Sequence, residues 1–176
     1  KDVFTYEENN SLPEDVLTAA CSDLIAALNE ERAREGGHIM NDLLGRLDAI
    51  TASLAEIQTG WPEVIKTHEE RLRGKIAEIT QSVAVDETRV LQEIAIYMER
   101  VDISEEIVRL TGHLDNFRGT LASLEPMGRK LDFIIQEMVR ETNTIGSKSN
   151  DLYINERVIG IKVEIEKMRE QVQNVE

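Results

Sequence analysis

His113 stands among carboxylates in a way that His38 and His68 do not. Asp102, Glu106, Arg109 and His113 recur at i, i+4, i+7 and i+11, which on an α-helix places them within an arc of about 60°. Both signs of charge and an imidazole then share one edge of a helix, beside its buried stripe. A position half shielded from water suits a carboxylate and a histidine for proton transfer or metal binding better than a fully solvated face does. The same spacing also suits a ladder of intrahelical ion pairs, which are common and individually weak. His38 and His68 sit in ordinary helical surroundings and read as surface or packing residues.

A second constellation follows on the next helical stretch. Opposite its apolar positions lie Arg129, Gln136, Arg140, Asn143 and Ser147, flanked by Asp132, Glu137 and Glu141, with Phe133 projecting among them. Guanidiniums hold phosphates, side-chain amides read bases, and an exposed ring can stack on one. The carboxylates offer oxygen ligands to a divalent cation. The competing reading is a solvated face laced by i,i+4 pairs. Residues 126 to 148 carry four basic residues against three acidic ones, inside a chain whose net charge is -14. Bulk electrostatics therefore excludes a protein that coats itself in nucleic acid, and any RNA contact has to be local.

The elements that must position these groups read as helices. Only 4% of the 176 residues are aromatic, and 10 Gly and 3 Pro leave little material for sheets and tight turns. Ser11-Leu12-Pro13 offers an N-cap with Pro in the first turn, and Leu17, Ala20, Cys21, Leu24 and Leu28 share one face after it. Met40, Leu43, Leu47, Ile50, Leu54 and Ile57 then alternate by three and four, the spacing of a coiled-coil seam. Gly60-Trp61-Pro62 reads as a break. Val64, Ile65, His68, Leu72, Ile76 and Ile79 then form a second helix running back along the first, and this hairpin is expected to supply much of the subunit contact.

Asp86 is placed to cap a helix with Val90, Leu91, Ile94, Ala95, Met98 and Val101 inward. The next stripe, Ile103, Ile107, Leu110, Leu114, Phe117 and Leu121, is rotated by roughly 160° from it. One straight helix cannot bury both, so a break is expected at Val101-Asp102, with Asp102 and Glu105 as a capping-box-like start. Glu125 to Gly128 reads as a turn, Gly146 as the C-cap of a helix burying Leu131, Ile134, Ile135, Met138 and Ile145, and a last helix turns Val158, Ile161, Ile165, Met168 and Val172 inward. The fold expected is all-α: a long antiparallel helical hairpin at residues 13–80 plus a C-terminal helical bundle at 86–176. Residues 1–12 read as the end of a preceding N-terminal domain, since the chain opens at Lys1 without an initiator Met. Antiparallel packing would face the edge bearing Asp102, Glu106 and His113 toward Asp132, Glu137 and Glu141 across one groove.

A single cysteine, Cys21, makes no intrachain disulfide and no zinc-site spacing. No apolar run approaches the roughly 20 residues of a membrane span. A soluble protein of the cytoplasm is expected.

The residues also resemble a known family. The run Gly128 through Met138, with Arg140-Glu141 and Asn143 through Lys148, is similar to the signature of the bacterial YicC/YloC endoribonucleases. So are Asp102 through Leu110 with His113-Leu114 and Phe117, and the tail Lys162 through Glu176. Arg32 with Glu35-Gly36, and Asp86-Glu87 with Arg89, Gln92 and Glu93, match more loosely. Thr111-Gly112 and Met98-Glu99-Arg100 depart from the family's usual Lys-Ser and Ala-Asp-Lys. The resemblance spans essentially the whole chain and is most specific from Asp86 onward.

The resemblance implies an endoribonuclease that cuts single-stranded RNA in processing or decay, needs a divalent cation, manganese or magnesium, and works as a homo-oligomer, a hexamer. Joined to the spacing above, it nominates His113, Glu106, Glu137 and Asp102 for catalysis. Asp102, Glu105, Glu106, Asp132, Glu137 and Glu141 are the pool of metal ligands. Arg109, Arg129, Lys130, Arg140 and Lys148 are the phosphate holders. The rival expectation is a non-catalytic helical adaptor or scaffold that binds RNA and recruits another nuclease.

Overall fold

The computed structural model describes residues 13–80, 86–123 and 127–173. The proposed domain end at 1–12, with its Ser11-Leu12 cap, the Glu125-Pro126 turn and the last residues of the tail lie outside them. Five helices follow in order: α1 (Glu14–Thr80), α2 (Glu87–Val101), α3 (Ser104–Leu121), α4 (Gly128–Ser149) and α5 (Leu152–Val172). No strand occurs among the described residues, and the all-α expectation holds.

The expected hairpin at residues 13–80 is not there. α1 is one helix of 67 residues with Pro62 inside it. The apolar seam explains why, because it does not stop at the supposed turn: Leu54, Ile57, Trp61, Val64 and His68 keep the same three-four spacing straight across Pro62. Trp61 is buried at 6% exposure, and its large apolar surface works against the roughly 3 kcal/mol a helix loses at an interior Pro. Pro62 itself and Gln58, whose carbonyl loses its amide partner, are exposed, so water can satisfy that oxygen. Gly60 serves approach and not a turn: a Cβ there would lie 2.9 Å from Cε1 of Tyr153 on α5.

The chain divides into two units, Lys1–Ile39 and Met40–Glu176. In the first, the described part of α1 is exposed up to His38, Leu17, Leu24 and Leu28 included, and Ile39 is half-buried. In the second, Leu43, Leu47, Ile50, Leu54 and Ile57 are buried within the chain. Ion pairs along that stretch reach both neighbours: Arg46 to Glu164 at 2.7 Å and Glu56 to Arg157 at 3.0 Å on α5, and Asp48 to Arg118 at 2.6 Å on α3. The seam expected between subunits is thus used inside this unit.

α4 lies centrally, packed on both α3 and α5 and touching α2. Its buried positions, Leu131, Ile134, Ile135, Met138, Glu141, Thr142, Ile145 and Ser149, sit at the spacing a doubly packed helix needs. Asp86 caps α2 by accepting from the Thr88 amide at 2.9 Å, and Asp151 caps α5 by accepting from the Ile154 amide at 3.1 Å. α2 and α3 part at Asp102, whose Oδ1 accepts from the Ser104 amide at 3.0 Å and hydroxyl at 2.6 Å. The expected C-cap at Gly146 is displaced. α4 runs on to Ser149 and closes at Asn150, which takes the left-handed conformation at φ 42. Gly146 instead admits α5, since a Cβ there would meet Cγ1 of Val158 at 3.0 Å.

Candidate metal centre

α3 and α4 are consecutive helices packed side by side, and their cross-contacts run in opposite directions: Lys148 near the end of α4 reaches Glu106 near the start of α3. That antiparallel register sets His113, midway along α3, against the middle of α4. There His113, Glu137 and Glu141 bring one ligand atom each within 4.8 Å of one another. Glu137 and Glu141 are one turn apart on α4, so both carboxylates meet the imidazole from the same side.

Burial decides how this cluster should be read. Glu141 is only 4% exposed, and no ion pair reaches it among the described residues. Among the described residues Glu137 pairs only with Arg140, at 3.5 Å, and that guanidinium is 70% exposed. A carboxylate taken out of water without a cation is costly, and here a second carboxylate and an imidazole nitrogen point at the same place. One nitrogen and two carboxylate oxygens, leaving further positions to water or substrate, fit a divalent cation of manganese type. The donor set suits the cation better than it suits the two carboxylates alone.

Other nominated residues lie elsewhere. Asp102 sits at the α2–α3 junction. Its carboxyl is held below the usual carboxylate range, first by the Ser104 hydroxyl, with further hydrogen bonds from the Ser104 amide and the Trp61 indole. Glu105 is exposed and paired with Arg109. Glu106 is buried, with Oε1 accepting from Lys148 at 2.8 Å and Oε2 without a partner. Asp132 accepts from Gln136 at 2.8 Å. Among the described residues no cluster joins Asp102, Glu105, Glu106 or Asp132 to the His113 site. Of the cations, Arg129, Lys130 and Arg140 are exposed on α4, whereas Lys148 is occupied, bridging Glu106 and the Asp102 carbonyl at 3.0 Å.

Sequence reasoning missed Trp61 as a partner of Asp102. Nothing in the local sequence could have shown it, because the residues are brought together only by the packing of α1. It also missed that Glu141 is buried and Glu137 half-buried. The signal was present, since Glu141 follows Ile134 and Met138 at i+7 and i+3 and so lies on the apolar stripe.

A family model described as the C-terminal part of YicC-like endoribonucleases matches residues 57–176, which contain all three residues of the cluster. The chain belongs to that family. A protein of Clostridioides difficile named probable endoribonuclease YicC is 40% identical over 171 residues, covering 97% of this chain. One of the same name from Haemophilus influenzae is 35% identical over 170 residues. The chain spans 58% of the length of each of these YicC relatives. No helix among the described residues is long and apolar enough to cross a membrane.

Proposed function

We propose that this YicC-family chain takes part in cleaving single-stranded RNA, with a divalent cation held by His113, Glu137 and Glu141. The observation that carries the reading is Glu141, a buried carboxylate with no ion pair among the described residues, beside an imidazole and a second carboxylate. When bound, the cation supplies Lewis acidity toward a phosphate and lowers the pKa of a coordinated hydroxyl. The chain's own residues do the rest. The packed α3–α4 pair fixes the imidazole and the carboxylates before substrate arrives, so little reorganisation is left for the reaction. Half-buried Glu137 keeps its carboxylate partly in contact with water. Arg129, Lys130 and Arg140 hold phosphates from the exposed face of α4.

Assembly as a homo-oligomer is supported by Leu17, Leu24, Ile25 and Leu28, all more than half exposed in the first unit. The cytoplasm fits a chain with one exposed, free cysteine, Cys21.

The test is single-turnover cleavage of a labelled single-stranded RNA by the intact protein, with manganese and with chelator. Cutting should need the metal, and His113→Ala and Glu137→Gln should lower the rate at least tenfold while RNA affinity is retained. An adaptor would bind the RNA and leave it whole under both conditions.

A further inference from the structure

Phe133 is 62% exposed, the most exposed aromatic ring among the described residues. Of the other described rings, Phe117 and Trp61 are core, Tyr153 packs beneath the Arg157 guanidinium at 3.7 Å, and Tyr97 on α2 is 39% exposed. Leaving a phenylalanine in water gains the fold nothing. Around the α4 axis, Phe133 stands about 40° from Glu137 on one side and about 20° from Arg140 on the other. It is also one turn from Glu137 and one turn from Arg129, so the ring lies between the metal cluster and two exposed guanidiniums.

We propose that Phe133 is a stacking platform for a base of single-stranded RNA, next to the phosphate that Glu137 and its partners address. The inference rests on the RNA reading above and adds how the strand is seated. A lone ring rimmed by Arg129, Gln136 and Arg140 matches a nucleotide, with one flat apolar face and charge beside it. A protein partner would call for a contiguous apolar patch, and among the described residues of α4 Phe133 is the one exposed large hydrophobic. Stacking is tolerant of base identity, so Phe133 gives grip and register without a strict sequence requirement. Duplex RNA keeps its bases paired and stacked on each other and cannot offer one to the ring, which makes Phe133 a selector for single strands.

Binding of labelled single-stranded RNA to the intact protein is measured in chelator, where cutting does not proceed, for the parent, Phe133→Ala, Phe133→Leu and Phe133→Trp. Alanine should weaken binding by about 5- to 100-fold. Tryptophan should keep it and show fluorescence quenching on binding, and leucine should not rescue. RNA with one base replaced by an abasic residue should bind the parent more weakly and the alanine variant no differently. Manganese affinity, measured separately by calorimetry, should be the same in all four. Unchanged RNA affinity in the alanine variant, full rescue by leucine, or lost manganese affinity would each overturn the stacking assignment. If the parent binds no RNA, the assignment falls and the ring belongs to a protein contact. If the parent stacks RNA but never cleaves it with manganese, the nuclease reading fails alone.

Discussion

The Lys148 ammonium on α4 lies 2.8 Å from Oε1 of Glu106 on α3, and Glu106 has only 6% of its side chain exposed. The pair fastens the end of α4 to the start of α3, since the same ammonium donates to the Asp102 carbonyl. Lys148→Met would leave a buried carboxylate without its cation, and the expected loss is on the order of 3 kcal/mol. Glu106→Gln should cost less, because an amide buried there carries no charge. Urea unfolding of both variants checks this, and equal losses would mean that the pair is not held as described.

Two glycines separate close packing from open space. Gly119 on α3 has nothing within 4 Å of an added Cβ, whereas Gly146 would meet Val158, itself 2% exposed. Gly119→Ala should stabilise by up to about 1 kcal/mol through helix propensity. Gly146→Ala gains the same propensity but presses on a β-branched, buried neighbour, and should lie about 1–3 kcal/mol below Gly119→Ala in denaturant titrations. If the two variants are equally stable, α4 and α5 do not approach as closely as 3.0 Å at this point.

The helix that bears His113 was legible down to its start, because the apolar stripe changes direction at Asp102 and no straight helix follows it. The core of α4 was legible from the spacing of Leu131, Ile134, Ile135 and Met138. What local patterning misread were glycines and a proline. Gly60 and Pro62 look the same in sequence whether they end a helix or admit Tyr153 against one, and only the continuity of the seam through Trp61 separates the two. Gly146 was misread for the same reason. At the site, spacing put His113 and Glu137 on facing edges. It could not show which carboxylates would meet: Glu106 is taken by Lys148, and Asp102 by Ser104 and Trp61.

Acid should loosen the joint between α1 and α5. Glu164 is held below the usual carboxylate range, first by its hydrogen bond from Lys167 at 2.8 Å and, after the opposing effect of burial, by Arg46 at 2.7 Å. Its folded pKa therefore lies below its unfolded one. The stability it contributes is present above the unfolded carboxylate value, near 4.3, and is lost as pH falls from there through the folded pKa. Melting temperature followed from pH 6 to pH 3 should drop less steeply in Glu164→Gln than in the parent. Parallel curves would show that Glu164 has no part in the acid sensitivity.

Glu141 gives the sharpest test of the proposed metal centre, because a ligand and a structural residue predict opposite outcomes. If the carboxylate is there to bind a cation, the metal-free protein bears its burial as a cost, and Glu141→Gln should leave the metal-free fold as stable as the parent or more so. Manganese at 100 times its dissociation constant should stabilise the parent by about 2.7 kcal/mol. The glutamine variant should lose most of that gain, as should His113→Ala, because each removes one of three ligands. If Glu141 instead holds α4 against its neighbours, the glutamine variant would melt lower than the parent in chelator, and manganese would raise both alike. Thermal melts of the parent and the two variants, each in chelator and across a manganese titration, separate these cases without any cleavage assay. A melting temperature of the parent that ignores manganese would remove the His113, Glu137 and Glu141 site from the account of this protein.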